Sequence, residues 1–244
     1  MERELQIQAV VTGSAKFGEL HRLVNLFSPQ LGLIKAVIFG GRKGKKTSLA
    51  PLFSYGTFQI YHNPVNDEYS VVEEDCAFIA QNIKTDIGAT YTASCFCELL
   101  NCINTDAPQD LYFLTTSALS ILDSNIEKHR KILIDFTWRF LQISGVGSDL
   151  ESCPCCDRRY EEKETLGFSS SMITPVCSSC SDTNRIALTP GARKYLIHTQ
   201  QMSVEQAFEV ELLEGATNRL TDFLLKWVSV FYPYPLKTVK SNLL

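Results

Sequence analysis

The chain has 244 residues, 45% hydrophobic and 20% charged, with a formal net charge of −4. This composition excludes disordered and collagen-like chains, and the acidic balance argues against a uniformly basic nucleic-acid coat. No apolar run approaches the roughly 18 residues of a membrane span and no apolar segment follows the charged start, so a cytoplasmic protein without a membrane partner is expected.

Leu5, Ile7, Ala9 and Val11 alternate with Gln6, Gln8 and Val10, a half-buried strand pattern. Gly13-Ser14 and Phe17-Gly18 punctuate the next stretch. His21–Phe27 and Leu33–Phe39 are two further short apolar runs, and Gly40–Ser48 is a polar, basic, glycine-rich loop. Phe53–Tyr61 and Tyr69–Val72 complete five short strands, whose spacing predicts a small closed or sandwiched β-domain over residues 1–80. Helical patterns then run over residues 81–104 and 109–127, and through Ile132, Leu133, Phe136, Phe140 and Ile143 as far as Gly145. Thr189-Pro190 is a helix start, Ser203 with Gln206 has the spacing of a capping box, and Leu212, Leu213, Leu220, Phe223, Leu224 and Trp227 supply apolar helical stripes. The tail from Tyr232 to Leu244 is proline-containing and basic. Residues 81–244 are therefore expected to form a helical domain, interrupted by a cysteine module at about 150–182.

That module carries the most specific chemistry. Cys153 and Cys156 form one C-x-x-C pair, and Cys177 and Cys180 form another. Two such pairs at this separation suit one tetrahedral zinc ion, each knuckle directing two thiolates at the metal. Four thiolates leave no open position, so the ion would be structural rather than hydrolytic. Cys155 lies inside the first knuckle, either as a non-ligand or as a substitute, and an iron–sulfur site is the competing use of the cluster. Cys76, Cys95, Cys97 and Cys102 read as small buried hydrophobes.

Charge is polarised. Lys35, Arg42, Lys43, Lys45 and Lys46 come with no acid among them, while the segment from Asp67 to Asp75 holds five acids and no base. The loop Gly40–Ser48 is not a phosphate-binding P-loop, because Phe39 stands where its first glycine belongs and Lys46 follows Lys45 in place of Ser or Thr. It reads either as a mobile cationic loop that neutralises phosphates or as a loop kept polar for solubility. Phe53, Tyr55, Phe58 and Tyr61 beside it are candidate base-stacking aromatics, although alternation sends most of them into the core. No H-E-x-x-H, H-x-E or G-x-S-x-G arrangement is present, so no enzymatic activity is expected.

The stretch from Ala9 to Phe27, Gly32–Val37 with Gly40-Gly-Arg-Lys43, Phe140–Gly145 ahead of Cys153, and the closing Tyr232–Leu244 together resemble the RecO family over nearly the full length. The resemblance implies an α+β multidomain chain, with an N-terminal OB-fold β-barrel followed by an α-helical domain with an inserted four-cysteine zinc module. It implies a bacterial, nucleoid-associated DNA repair and recombination mediator. Such a protein binds single-stranded and double-stranded DNA, anneals complementary strands, and binds RecR and the tail of single-strand DNA-binding protein. It helps load RecA onto coated strands. By position, Arg22, Lys35, Arg42 and Lys43 fall in the family's basic region, Lys45 and Lys46 extend it, and Cys155 is additional to the zinc pattern. A second expectation, from another class, is a zinc-organised protein-interaction adaptor with only incidental DNA contact.

Overall fold

Alternation in the first strand decides the fold. Ile7, Ala9 and Val11 are buried on one side of β1 (Glu4–Phe17), and antiparallel pairing puts Val11 opposite Leu26 of β2 (His21–Ser28). β2 pairs in turn with β3 (Gly32–Ile38), and β1 pairs on its other edge with β4 (Tyr55–Asn63). β5 (Glu68–Phe78) runs antiparallel to β4 and makes a short parallel pairing with β3, closing a five-stranded barrel in the order β1-β2-β3-β5-β4. Closure removes every free sheet edge, and the interior is filled by Ile7, Ala9, Val11, Val24, Leu26, Ile34, Ala36, Ile38, Phe58, Ile60 and Val71. The computed structural model describes residues 3–232 and 235–241, with only the backbone at residues 184–186. Of the closing basic segment, Pro233, Tyr234 and residues 242–244 lie outside the described residues.

β1 and β5 run longer than their sequence patterns predict. β5 continues past Val72 to Phe78. Gly13 does not end β1; it sits at a bulge between Val11 and Gly13, and the strand continues to Phe17. A side chain at Gly13 would press within 2.9 Å of the Asn25 amide, which explains a glycine here. Gly56 is tighter still, since a Cβ there would lie 2.3 Å from the Asp75 carbonyl oxygen. Gly56→Ala is expected to destabilise the barrel by about 1–3 kcal/mol, because only backbone can yield; a denaturant melt that matches the parent protein would contradict it.

The first helix begins later than its apolar pattern suggests. Residues Ile83–Thr85 form a single tight turn, and Asp86 then caps α1 (Ile87–Cys102) by accepting the Ala89 N–H at 2.8 Å. Pro108 opens α2 (Pro108–Ser124). Both helices pack on the barrel strands, so the compact unit runs from Met1 to Ile126. Polar contacts fix this packing. Thr12 Oγ1 donates to Asn101 Oδ1 at 2.8 Å, Tyr55 and Ser120 share a hydrogen bond of 2.7 Å, and Asp123 Oδ1 accepts the N–H groups of Gln81, Asn82 and Ile83.

The second compact unit, Glu127–Leu244, opens with α3 (His129–Ile143). Gly145, at φ 72°, turns the chain out of that helix in the left-handed conformation glycine tolerates. A small sheet comes next, with β6 (Leu166–Ser169) between β7 (Thr174–Val176) and β8 (Thr183–Leu188). Thr189 caps α4 (Pro190–Gln200), and Ser203 with Gln206 makes the expected capping box of α5 (Val204–Glu209). Leu220, Phe223, Leu224 and Trp227 line the buried face of α6 (Glu214–Phe231), and α7 (Lys237–Lys240) ends the described chain. Leu212 and Leu213 precede α6 instead of joining its stripe, and Leu213 is 83% exposed. Trp138 of α3 and Trp227 of α6 meet in this core with ring centroids 5.9 Å apart.

Candidate functional site

The thiol groups of Cys153, Cys156, Cys177 and Cys180 all lie within 4.8 Å of one another. A metal held at about 2.3 Å by four sulfurs requires sulfur separations of about 3.8 Å; the Cys156 and Cys177 sulfurs are 3.9 Å apart. The cluster can therefore hold one metal ion. Local backbone builds each knuckle. The Asp157 N–H returns to the Cys153 carbonyl at 2.8 Å with Asp157 left-handed at φ 56°, and the Cys180 N–H returns to the Cys177 carbonyl at 3.0 Å. Burial opposes ionisation of Cys153, yet backbone N–H groups of Cys177, Cys155 and Cys156 outweigh it and hold this thiol down at about 6. Cys180 is pushed up, chiefly by its contact with Cys177. One edge of the cluster is thus prepared to supply thiolate. Cys155 lies exposed, outside the group of four.

The sheet β7-β6-β8 closes the second knuckle onto the first. Tyr160 packs against Cys153 and Cys177 and donates its hydroxyl to the Pro175 carbonyl at 3.2 Å. Trp227 donates its indole N–H to the Ile173 carbonyl at 2.9 Å and meets Phe168 edge-on, tying the module to α6. Arg193 of α4 donates to the Glu161 carbonyl at 2.6 Å and lies over the Tyr160 ring.

The basic residues divide into two groups. Arg22 and Arg42 brace the loop between β3 and β4. Arg22 donates to the carbonyls of Thr47 and Leu49, and Arg42 donates to the Glu19 carbonyl at 2.8 Å. A tight turn at Gly44–Thr47, with Thr47 and Ser48 hydroxyls bonded back to Gly44 and Lys45, completes the bracing. These hydrogen bonds brace the loop at both ends. Lys43, Lys45 and Lys46 project from it exposed, whereas Lys35 stands apart on β3, paired with Asn25 of β2. Among the described residues, none of these four lysines has a side-chain hydrogen bond or ion pair. The aromatics that come after the loop are mostly structural. Phe53 and Phe58 are buried, and Tyr55 is half-buried and stacked on Phe78.

Two family models divide the chain. Residues 1–74 match "Recombination protein O N terminal" and residues 84–239 match "Recombination protein O C terminal". The chain belongs to the RecO family. Its RecO relatives are distant, and two of them match over nearly their full length. "DNA repair protein RecO" of Clostridium novyi (strain NT) is 23% identical over 96% of this chain and 91% of its own length. The protein of the same name from Caldanaerobacter subterraneus subsp. tengcongensis is 25% identical over 91% of this chain and 92% of its own length. A third, from Desulfitobacterium hafniense (strain Y51), is 28% identical over 70% of this chain and 63% of its own length. The RecO family is one of DNA repair and recombination. No helix among the described residues is long and apolar enough to cross a membrane.

Proposed function

We propose that this chain is a non-enzymatic mediator of DNA repair and recombination, working in the cytoplasm at the nucleoid. It binds single- and double-stranded DNA through its N-terminal barrel and anneals complementary strands. Together with RecR, and through the tail of single-strand DNA-binding protein, it helps load RecA onto coated single strands. The observation that carries this reading is the set of exposed lysines, Lys35, Lys43, Lys45 and Lys46, unpaired among the described residues, on the barrel of a RecO-family chain. Ammonium groups without internal partners bind phosphates by releasing counterions and read no base identity. Annealing needs that: two like-charged strands brought together with their base edges left free to pair. The arginines serve differently, Arg22 and Arg42 holding the loop in place while Arg42 adds charge. The metal is read as one structural zinc ion on Cys153, Cys156, Cys177 and Cys180, since four thiolates complete its tetrahedron and leave no site for an activated water.

The test is annealing of complementary oligonucleotides coated with the cognate single-strand-binding protein. Fast, ATP-independent annealing that requires this protein is the expected result. Absence of annealing from folded protein would transfer support to the adaptor reading. Alanine at Lys35, Lys43, Lys45 and Lys46 together is expected to weaken single-strand binding and to flatten the plot of log affinity against log salt by about 0.7 for each phosphate no longer neutralised. Titrations at several salt concentrations read both quantities, and an unchanged slope would remove these lysines from the interface.

A further inference from the structure

The outer face of β1-β2-β3 carries an aromatic row. Pairing sets Phe17 opposite His21, and the Arg22–Ile38 pair brings His21 beside Phe39, the residue immediately after β3. Val24, Leu26, Ile34, Ala36 and Ile38 fill the barrel. Strict alternation therefore turns His21, Leu23, Lys35 and Val37 away from it, with Phe17 on the same face as its partner His21, and the His21 ring contact keeps Phe39 on that face. Phe17 is 46% exposed and Phe39 55%. Two contacts within the protein hold His21 and Phe39 in place. His21 Nδ1 accepts the Gly40 N–H at 3.0 Å, and its ring meets Phe39 edge-on with centroids 5.2 Å apart.

The charge of this chain segment selects the occupant, although Glu68 of β5 adjoins Lys35 across the Ala36–Tyr69 pair. From Lys16 to Lys46 the chain has seven basic residues, Lys16, Arg22, Lys35, Arg42, Lys43, Lys45 and Lys46, and one acid, Glu19. Lys35 lies on the same outer face as the rings, the basic loop begins directly after Phe39, and Arg42 is anchored on the β1–β2 turn just beyond Phe17. Exposed rings beside exposed cations match a polymer of flat apolar groups joined by phosphates.

We infer that Phe17, His21 and Phe39 form a stacking platform for the bases of a single-stranded nucleic acid, whose phosphates fall to Lys35 and the loop lysines. This deepens the proposed DNA-binding role of the barrel and rests on it. A duplex hides its base faces, so the platform favours single strands, while the lysines serve both forms.

The experiment measures anisotropy of a labelled oligo(dT) and of a labelled hairpin duplex against the full chain carrying Phe17→Ala, Phe39→Ala, both together, and the matching Phe→Leu changes. Both rings are exposed, so melting temperatures should stay close to the parent's. The expected drop in affinity for oligo(dT) is roughly five- to hundredfold for each stacked base released. Duplex affinity and the salt slope should remain unchanged, and leucine should not restore binding, having area but no ring face. Phe39→Trp should give an emission quenched by oligo(dT), distinguishable from Trp138 and Trp227, which are buried. Unchanged oligo(dT) affinity in the double alanine variant, an equal loss on duplex, or full recovery with leucine would overturn the platform. The quadruple lysine-to-alanine variant separates the two levels. If it weakens binding while the phenylalanine variants do not, only the platform falls; if neither affects binding, the DNA-binding role of this face falls with it.

Discussion

Removing the proposed zinc ion, by a strong chelator or by Cys177→Ser, is expected to unfold the cysteine module and to lower the melting temperature of the chain sharply. Cys153 and Cys177 are almost wholly buried, yet their apolar surroundings are little more than Val176, Tyr160 and Cys180. A core that small cannot offset the entropy of ordering the loops around it. In isolated zinc modules the ion contributes on the order of 10 kcal/mol of apparent folding free energy at neutral pH. The loss should spread into α6, because Trp227 bonds to Ile173 and packs on Phe168. Calorimetry with and without chelator, alongside a chromogenic count of released metal, measures the effect. One ion per chain should be released. Cys155→Ser should leave both metal content and melting curve unchanged, since Cys155 lies outside the four-thiol group. A melting curve unaltered after verified metal release would remove the structural role.

The second large effect is expected at Lys131. Its ammonium is buried and donates to the Ala207 carbonyl at 2.8 Å and to the Phe208 carbonyl, closing the end of α5. It lies 4.7 Å from the Phe208 ring centroid and 3.5 Å from the carboxylate of Asp135, which also accepts the Tyr195 hydroxyl at 2.8 Å. Burial pushes Asp135 up and Lys131 down, so each charge is strained by its surroundings and depends on its partners. Lys131→Met removes the cation, takes one donor from each of two carbonyls and deprives a buried carboxylate of its ion pair. The expected cost is about 3–5 kcal/mol in a urea titration. In that variant Asp135 prefers the folded state when protonated, so stability should be greatest in acid and fall as pH rises above the ordinary carboxylate range near 4. Adding Asp135→Leu should recover part of the loss, because the stranded charge is then gone. A single-variant cost below about 1 kcal/mol would show that the pair is dispensable.

Much of the architecture was legible in the residues. Period-two alternation marked β1, and turn residues separated it from the later strands. Thr189-Pro190 and Ser203 with Gln206 are helix starts whose chemistry is local, and the structure keeps both. The cysteine pairs were readable because a tetrahedral site needs two short knuckles, and each knuckle is fixed by its own few residues. Other features are non-local. Gly13 resembles a strand end in sequence, but pairing with β2 absorbs it as a bulge and carries the strand on to Phe17. Leu213 has the hydrophobicity of a buried helical residue, and only the position of α6 leaves it exposed.

The basic face shows the division most plainly. Composition alone located the lysines and arginines. Which of them are free was decided by tertiary contacts, because the carbonyls that engage Arg22 and Arg42 come from segments distant in sequence. The aromatics divided in the same way. Phe53 and Phe58 sit in the core, while Phe17 and Phe39 lie on the outside, one paired with His21 across strands and the other edge-on to its ring. The sequence by itself determined the alternation, the caps, the metal-binding spacing and the concentration of positive charge, since each depends on residues within a few positions of one another. Barrel closure, the buried Lys131–Asp135 pair and the aromatic row arose only in the tertiary structure, where strand register and helix packing bring together residues that the chain keeps apart.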